Sequence, residues 1–338
     1  MATLNPYQEA IRAGVRAAQG EHQRLGTDLR ARVDIFNTIE DERIWLMFRR
    51  MRSLYGAYKR HDAAAGIIIN SQHPLTLQRF TAAHEYGHHV LGHQASADDE
   101  SRITRRSQDL QEVAAQAFAG EFLMPLQLVN FVLRGMGLKG KNLRLTPRQV
   151  YEVALELGVS YGAAVTQLVG QHILTVPVGT RLRTQSPLAL KATLAGAKPI
   201  NPWADVWILD EAQEGREFAP RLQDEIHVIL EETPSTGFVW TLVDPGSSAL
   251  DLVDDTFEEF DDDQELVGSS GHRHLRFRVA SAGSSRLRLE KRRPWQKDAN
   301  AVASFEATVN ASPPLTGDSR EGLAEDQKQL VLIGGEAA

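Results

Sequence analysis

The chain has 338 residues, 42% hydrophobic, 7% aromatic and 24% charged, an ordinary globular composition with length for about two domains. It has no cysteine, which excludes disulfide scaffolds, thiolate zinc sites, cysteine-held iron–sulfur clusters and cysteine nucleophiles. The net charge of −7 is unevenly divided: residues 1–180 hold 20 basic and 17 acidic side chains, residues 201–338 hold 13 and 27, which fits two separately built units and leaves neither with the basic excess of a dedicated nucleic-acid binder.

The opening residues lack the apolar core of a secretory signal, and no window reaches the ~18 apolar residues of a membrane span, so a soluble, cytoplasmic protein without a membrane partner is expected. From Tyr7 to about Arg32 the spacing of Ile11, Val15 and Ala18 is helical, after an Asn5-Pro6 start. RIWLMFRRM (43–51) and AAGIIINS (64–71) read as two strands joined through GAY, the second buried on both faces. A helix follows from Gln78 to about Leu91, and an alanine-rich one from about Asp109 to Met124, stopped by Pro125.

Residues 145–174 carry a Thr146 cap, Pro147 in the first turn and a Gly158-Val159-Ser160 corner between two helical runs, the shape of a helix-turn-helix. The second run, Tyr161 to His172, has no Lys or Arg to hold phosphates, so nucleic acid is an unlikely partner and packing on the body, or holding a substrate, is the better reading. Residues 179–204 mix Pro, Gly, Ala and cations without a sustained period and are assigned as a linker. Beyond it the period becomes two. Runs at 224–232, 237–244, 274–281, 285–291 and 301–310 point Ile226, Val228, Leu230, Phe238, Trp240, Leu242, Leu275, Phe277, Val279, Leu287 and Leu289 inward, as in a small antiparallel sandwich without helices. The run 251–265, with nine acids and no base, reads as a solvated loop, with a docking face for a basic partner as the alternative. Residues 312–338 form a polar tail with a QLVLI strand as its one ordered prospect.

The segment that demands a chemical explanation is His84-Glu85-Tyr86-Gly87-His88. Residues four apart on a helix are rotated by ~400°, so His84 and His88 share a face and can reach one metal, while Glu85, ~100° away, can hold a water. Such a site needs a third protein ligand and one open position. A histidine six places beyond His88 is absent, because that place is Gln94 and His93 falls one short. Carboxylates on the next helix are Asp109, Glu112 and Glu121; Glu112 and Glu121 differ by ~180°, so only one can face the metal. Glu112, ahead of the small residues Ala115, Ala119 and Gly120, is the first choice and Asp109 the second.

The runs GIIINS, QRFTAAHEYGHHVLGH and EVAAQAFAGEFLMP resemble the ImmA/IrrE metallo-endopeptidases over about residues 30–175. By that resemblance His84, His88 and Glu112 are ligands of Zn2+, Glu85 is the general base of peptide hydrolysis, and the substrate is a helix-turn-helix repressor whose cleavage relieves repression under stress. Gln116 stands where that family usually has asparagine. Tyr58 and His61, near the preceding strand, are the positions open for an oxyanion donor.

In the acidic half, Thr233-Pro-Ser-Thr-Gly-Phe238, Gly268-Ser-Ser-Gly271 and Arg293-Pro-Trp295 fall at three strand connections, and the order between them resembles the chagasin family of cysteine-protease inhibitors over about 205–311. There three loops enter a papain-like cleft, so Thr233, Pro234, Thr236, Gly237, Phe238, Gly268, Gly271, Arg293, Pro294 and Trp295 are the protein-binding residues the resemblance implies, for a papain-like protease, a substrate or a regulator. The expected fold class is α+β: a zincin-like peptidase domain of helices and a small sheet (1–178), the linker (179–204), an all-β immunoglobulin-like sandwich (205–311) and the tail. The rival readings are a non-catalytic inhibitor or binding protein and a metal-responsive DNA-binding regulator.

Overall fold

The computed structural model describes residues 5–61, 64–93, 96–99, 110–196, 198–199, 201, 204–243, 249–260, 270–296 and 300–311. The chain divides between Thr184 and Gln185 into two compact units.

In the first unit α1 (Pro6–Leu25) starts at Asn5, whose side chain accepts from the Tyr7 amide, and stops at Gly26 in the left-handed conformation. After α2 (Ile35–Asp41) come β1 (Trp45–Arg49), β2 (Leu54–His61) and β3 (Ala64–Asn70), then α3 (Leu75–Val90) and β4 (Ser96–Asp99). The sheet order is β1-β3-β2-β4, with β1 parallel to β3 and β2 antiparallel to both its neighbours. The stretch expected to connect two strands is therefore itself a strand. Its inward residues Gly56 and Tyr58 face the body while Lys59, Arg60 and His61 face out, so a glycine and three exposed polar residues interrupt the alternation that would have revealed it. The third strand buries Ile67 and Ile69 but leaves Ile68 half-buried, so only one of its faces is wholly covered.

Next come α4 (Leu110–Leu123), ended by Pro125, and α5 (Leu126–Gly135), α6 (Pro147–Leu157), α7 (Tyr161–Gly170) and α8 (Val176–Arg183). Thr146 and Gln149 form a reciprocal capping box on α6. The turn to α7 bends by 98° at Gly158, which is left-handed. Two arginines fasten this corner to the rest: Arg32 donates to Leu155 O (2.6 Å) and Glu156 O (2.9 Å), and Arg79 to Gly158 O (3.0 Å). Cations at a helix C-terminus meet its unpaired carbonyls and negative dipole end. With Tyr161, Ala164, Val165 and Leu168 buried, the helix-turn-helix-like pair is part of the unit's core.

The expected linker at 179–204 is instead mostly helical: it holds the end of α8 and α9 (Pro187–Ala195). Ser186-Pro187 is a cap followed by a first-turn proline, and Gly196 is a left-handed stop, so residues that read as irregular are the helix's punctuation. Lys191, buried, donates to Ala204 O (2.6 Å) and pairs with Asp205 (3.1 Å), which ties α9 to the sandwich.

The second unit has two four-stranded sheets. One has the order β5 (Val206–Leu209), β7 (Glu225–Glu232), β10 (Gly271–Val279), β9 (Leu250–Glu259); the other β6 (Glu217–Phe218), β12 (Ala303–Ala311), β11 (Gly283–Arg292), β8 (Val239–Leu242). Its core contains the residues expected to face in, except that Phe238 and Leu242 are only half-buried. The acid-rich run is not a loop over its first part: β9 pairs antiparallel with β10. Asp255 meets Arg273 (2.5 Å) and Asp251 meets Arg278 (2.7 Å), so cross-strand partners of opposite charge neutralise two of the acids that alone suggested a docking face, while Glu258 lies 3.4 Å from His274, whose pKa burial lowers. The expected tail and its QLVLI strand lie outside the described residues. Among those described, no single helix is long and apolar enough to cross a membrane.

Candidate metal centre

The first-unit site rests on the close approach of α3 and α4. Gly87 makes it possible, because a Cβ there would press to 2.9 Å from the Phe118 ring. Ala115 and Ala119 are fully buried, as the small-face argument requires, whereas Gly120 lies against Gln167 of α7. Tyr86 continues the attachment by donating its hydroxyl to Glu21 of α1.

On this frame His84 and His88 turn the same edge inward, Nε2 to Nε2 3.1 Å, and Glu112 in the first turn of α4 places its carboxylate 3.2 Å from His84 Nε2 and 3.5 Å from His88 Nε2. The three are the only group of this kind among the described residues able to offer three ligand atoms to one ion. A tetrahedral zinc with ligands at about 2.0–2.1 Å has ligand–ligand edges of about 3.3–3.4 Å. The separations are near those edges, with Glu112 Oε2 toward His84 and Oε1 toward His88, and two imidazoles with one carboxylate are a borderline donor set suited to that ion. Burial pushes the Glu112 carboxyl up, but hydrogen bonds and charge from His84 and His88 outweigh it and hold the group well below the usual carboxylate range. Asp109, the second choice, lies outside the described residues.

Glu85 is fully buried on the sheet-facing side of α3, beside Gly56 of β2. A Cβ at Gly56 would collide with Thr81 Cγ2 and crowd Ile68 O at 3.0 Å, so the glycine lets α3 seat on β2, with Glu85 Oε1 at contact distance, 3.4 Å. Tyr58 is buried and hydrogen-bonds His89 Nδ1 at 3.1 Å, so its hydroxyl has a structural partner. His93, which the spacing excludes as a third ligand, sits behind the site with Nδ1 2.9 Å from His88 Nδ1. Nothing in the linear pattern marks it, because it lies past the helix end and is brought back by left-handed Gly92.

In the second unit Pro234–Thr236 form a tight turn ending at left-handed Gly237. Arg293 donates to Thr236 O (3.1 Å) and its guanidinium lies 4.5 Å over the Phe238 ring. A Cβ on Gly237 would strike the ring of Trp295, which follows Pro294 in the next loop and is 67% exposed. Thr233 Oγ1 lies 2.8 Å from Oγ of Ser270, the residue before Gly271. Gly268 lies outside the described residues.

A unit of helices and a small sheet carrying a paired-histidine and carboxylate cluster, followed by a β-sandwich with two described loops grouped at Gly237 and Trp295, is an architecture of class α+β. Residues 39–168 match the family model described as the IrrE N-terminal-like domain, of the peptidase M78 type, and residues 220–309 match the chagasin family peptidase inhibitor I42. Amoebiasin-2 of Entamoeba histolytica is 25% identical over 107 residues, 32% of this chain and 86% of its own. Among solved structures, the cysteine protease inhibitor EhICP2 from the same organism has a TM-score of 0.30 at 23% identity, covering 33% of this chain and 100% of that one. The Leishmania mexicana ICP has a TM-score of 0.21 at 19% identity, covering 32% and 90%. The two family-model matches fall on different parts of the chain, the peptidase-M78-type one in the first unit and the chagasin-type one in the second.

Proposed function

We propose that the protein is a zinc-dependent endopeptidase whose second unit binds a protein. The carrying observation is the set of 3.1, 3.2 and 3.5 Å separations among His84, His88 and Glu112, next to fully buried Glu85. When bound, the ion supplies Lewis acidity, polarising a peptide carbonyl and bringing the pKa of water toward about 7. His84 and His88 offer neutral Nε2 lone pairs, and Glu112 balances charge. Glu85 accepts the proton of the attacking water and returns it to the leaving amine. The substrate we infer, from the resemblance of the first unit, is a helix-turn-helix repressor, cut to relieve repression under stress in the cytoplasm.

The test combines metal analysis with cleavage. Purified protein is expected to carry about one equivalent of zinc, lost in His84→Ala and kept in Glu85→Gln, while Glu85→Gln alone abolishes fragmentation of a co-expressed repressor. Below about half an equivalent, unchanged in His84→Ala, the proposal fails.

A second reading, inhibition of a papain-like cysteine protease by the second unit, is favoured by one observation: Trp295 is largely exposed yet held against Gly237 beside the Arg293–Phe238 pair. Titration against papain separates it from a purely substrate-binding role.

A further inference from the structure

A cavity of about 910 Å³ in the first unit is not accounted for by the metal centre. Much of its wall is apolar, with Ile11 and Val15 from α1, Phe80 from α3, Val113 and Ala117 from α4, and Ala163 from α7. Its wall also includes Gln116. Phe80 precedes His84 by four residues and Gln116 follows Glu112 by four, so the cavity borders the proposed metal ligands one helical turn away on both helices.

At its other end lies Glu121, buried and 5% exposed. Its carboxylate accepts from the side-chain amides of Gln19 (3.0 Å), Gln167 (2.9 Å) and Gln171 (3.4 Å), and among the described residues it pairs with no Lys, Arg or His. A desolvated carboxylate held by neutral dipoles is incompletely compensated, and it retains acceptor capacity toward the cavity it lines. Such a site wants a donor-rich cation at the end of an apolar stem.

We propose that this cavity is a substrate subsite that receives an apolar stretch of polypeptide carrying one Lys or Arg, whose cation is bound by Glu121. This rests on the peptidase reading above. The volume exceeds one side chain and falls within the range of ligand sites, so several residues of substrate enter.

The test uses octylammonium and octanol as probes on the full chain, followed by cleavage of a peptide library. Octylammonium is expected to bind about tenfold more tightly than octanol, with the difference lost in Glu121→Gln. Ala117→Leu, which fills the cavity without changing charge, is expected to weaken both and serves if Glu121→Gln does not fold. Library cleavage is expected to show Lys or Arg enriched at one fixed distance from the cut and octylammonium to inhibit competitively. Equal binding of the two probes overturns the cation site. Selective binding without any effect on cleavage, or without cleavage by zinc-loaded protein, overturns the subsite; the second result also sinks the peptidase reading, whereas the first leaves it standing.

Discussion

His93 Nδ1 lies 2.9 Å from His88 Nδ1, on the ring edge opposite the one that faces His84 and Glu112. With His88 Nδ1–H donating to His93, the Nε2 lone pair of His88 is fixed as the one available to a metal. Outer partners of this kind orient a ligand and raise its basicity. His93→Ala is expected to weaken zinc binding about 10–100-fold without removing a ligand. Competition with a chelator of known affinity reads this directly; an unchanged constant would separate His93 from the site.

Gly56 tests the seating of α3 on β2. A Cβ there would collide with Thr81 Cγ2 and come to 3.0 Å from Ile68 O, while Glu85 Oε1, at 3.4 Å, stays at ordinary contact distance. Gly56→Ala is therefore expected to cost about 1–3 kcal/mol by overpacking, read by chemical denaturation. Unchanged stability would contradict the close approach of Thr81 to β2.

His84, Glu85 and His88 were legible because their spacing matches the helical period, so direction follows without tertiary information. Glu112 needed a second helix, which the alanine-rich run up to Pro125 provided. Other features depend on partners distant in sequence. The acids of β9 look solvated until Arg273 and Arg278 lie opposite them across an antiparallel pair. Glu121 was set aside because it points ~180° from Glu112; what it meets instead, Gln167 and Gln171, comes from α7. The strand at 54–61 is masked in the sequence because Gly56 and the exposed polar residues at its end disrupt its period, although that glycine is what lets Thr81 of α3 approach the strand.

Gly158 joins α6 to α7 with φ +64°, and a Cβ there would come within 2.9 Å of Arg32 and 3.2 Å of Arg79. A non-glycine residue in this region costs about 1–2 kcal/mol before any crowding. Gly158→Ala is therefore expected to lose at least about that much stability and to release the arginines from the α6 carbonyls. Chemical denaturation and faster proteolysis near 158 report the two effects. Arg79 makes the crowding consequential: burial and the neighbouring Arg32 already pull its pKa down to about 9, so it has little tolerance for losing its carbonyl partners.

His22 supplies a pH test away from the metal centre. Its ring stacks on Phe122 at 4.4 Å, its Nε2–H donates to Phe122 O at 2.9 Å, and its Nδ1 is buried without a partner. Burial lowers the His22 pKa below 6.5 despite the carbonyl and Glu21, since a proton on Nδ1 would have nothing to bond. The unfolded chain therefore takes up that proton first. The contribution of His22 to stability is present above about pH 6.5 and declines as pH falls toward the lowered folded value. His22→Phe keeps the ring stacking and removes both nitrogens, so its stability is expected to lack this acid-side decline while losing the carbonyl hydrogen bond at every pH. Hydrogen exchange of α1 and α4 amides between pH 5 and 8, corrected for intrinsic rates, compares the two proteins locally: the advantage of the original chain should shrink below about pH 6.5. Parallel profiles would mean that His22 titrates alike in both states, and the buried, unpartnered Nδ1 could then not be its folded environment.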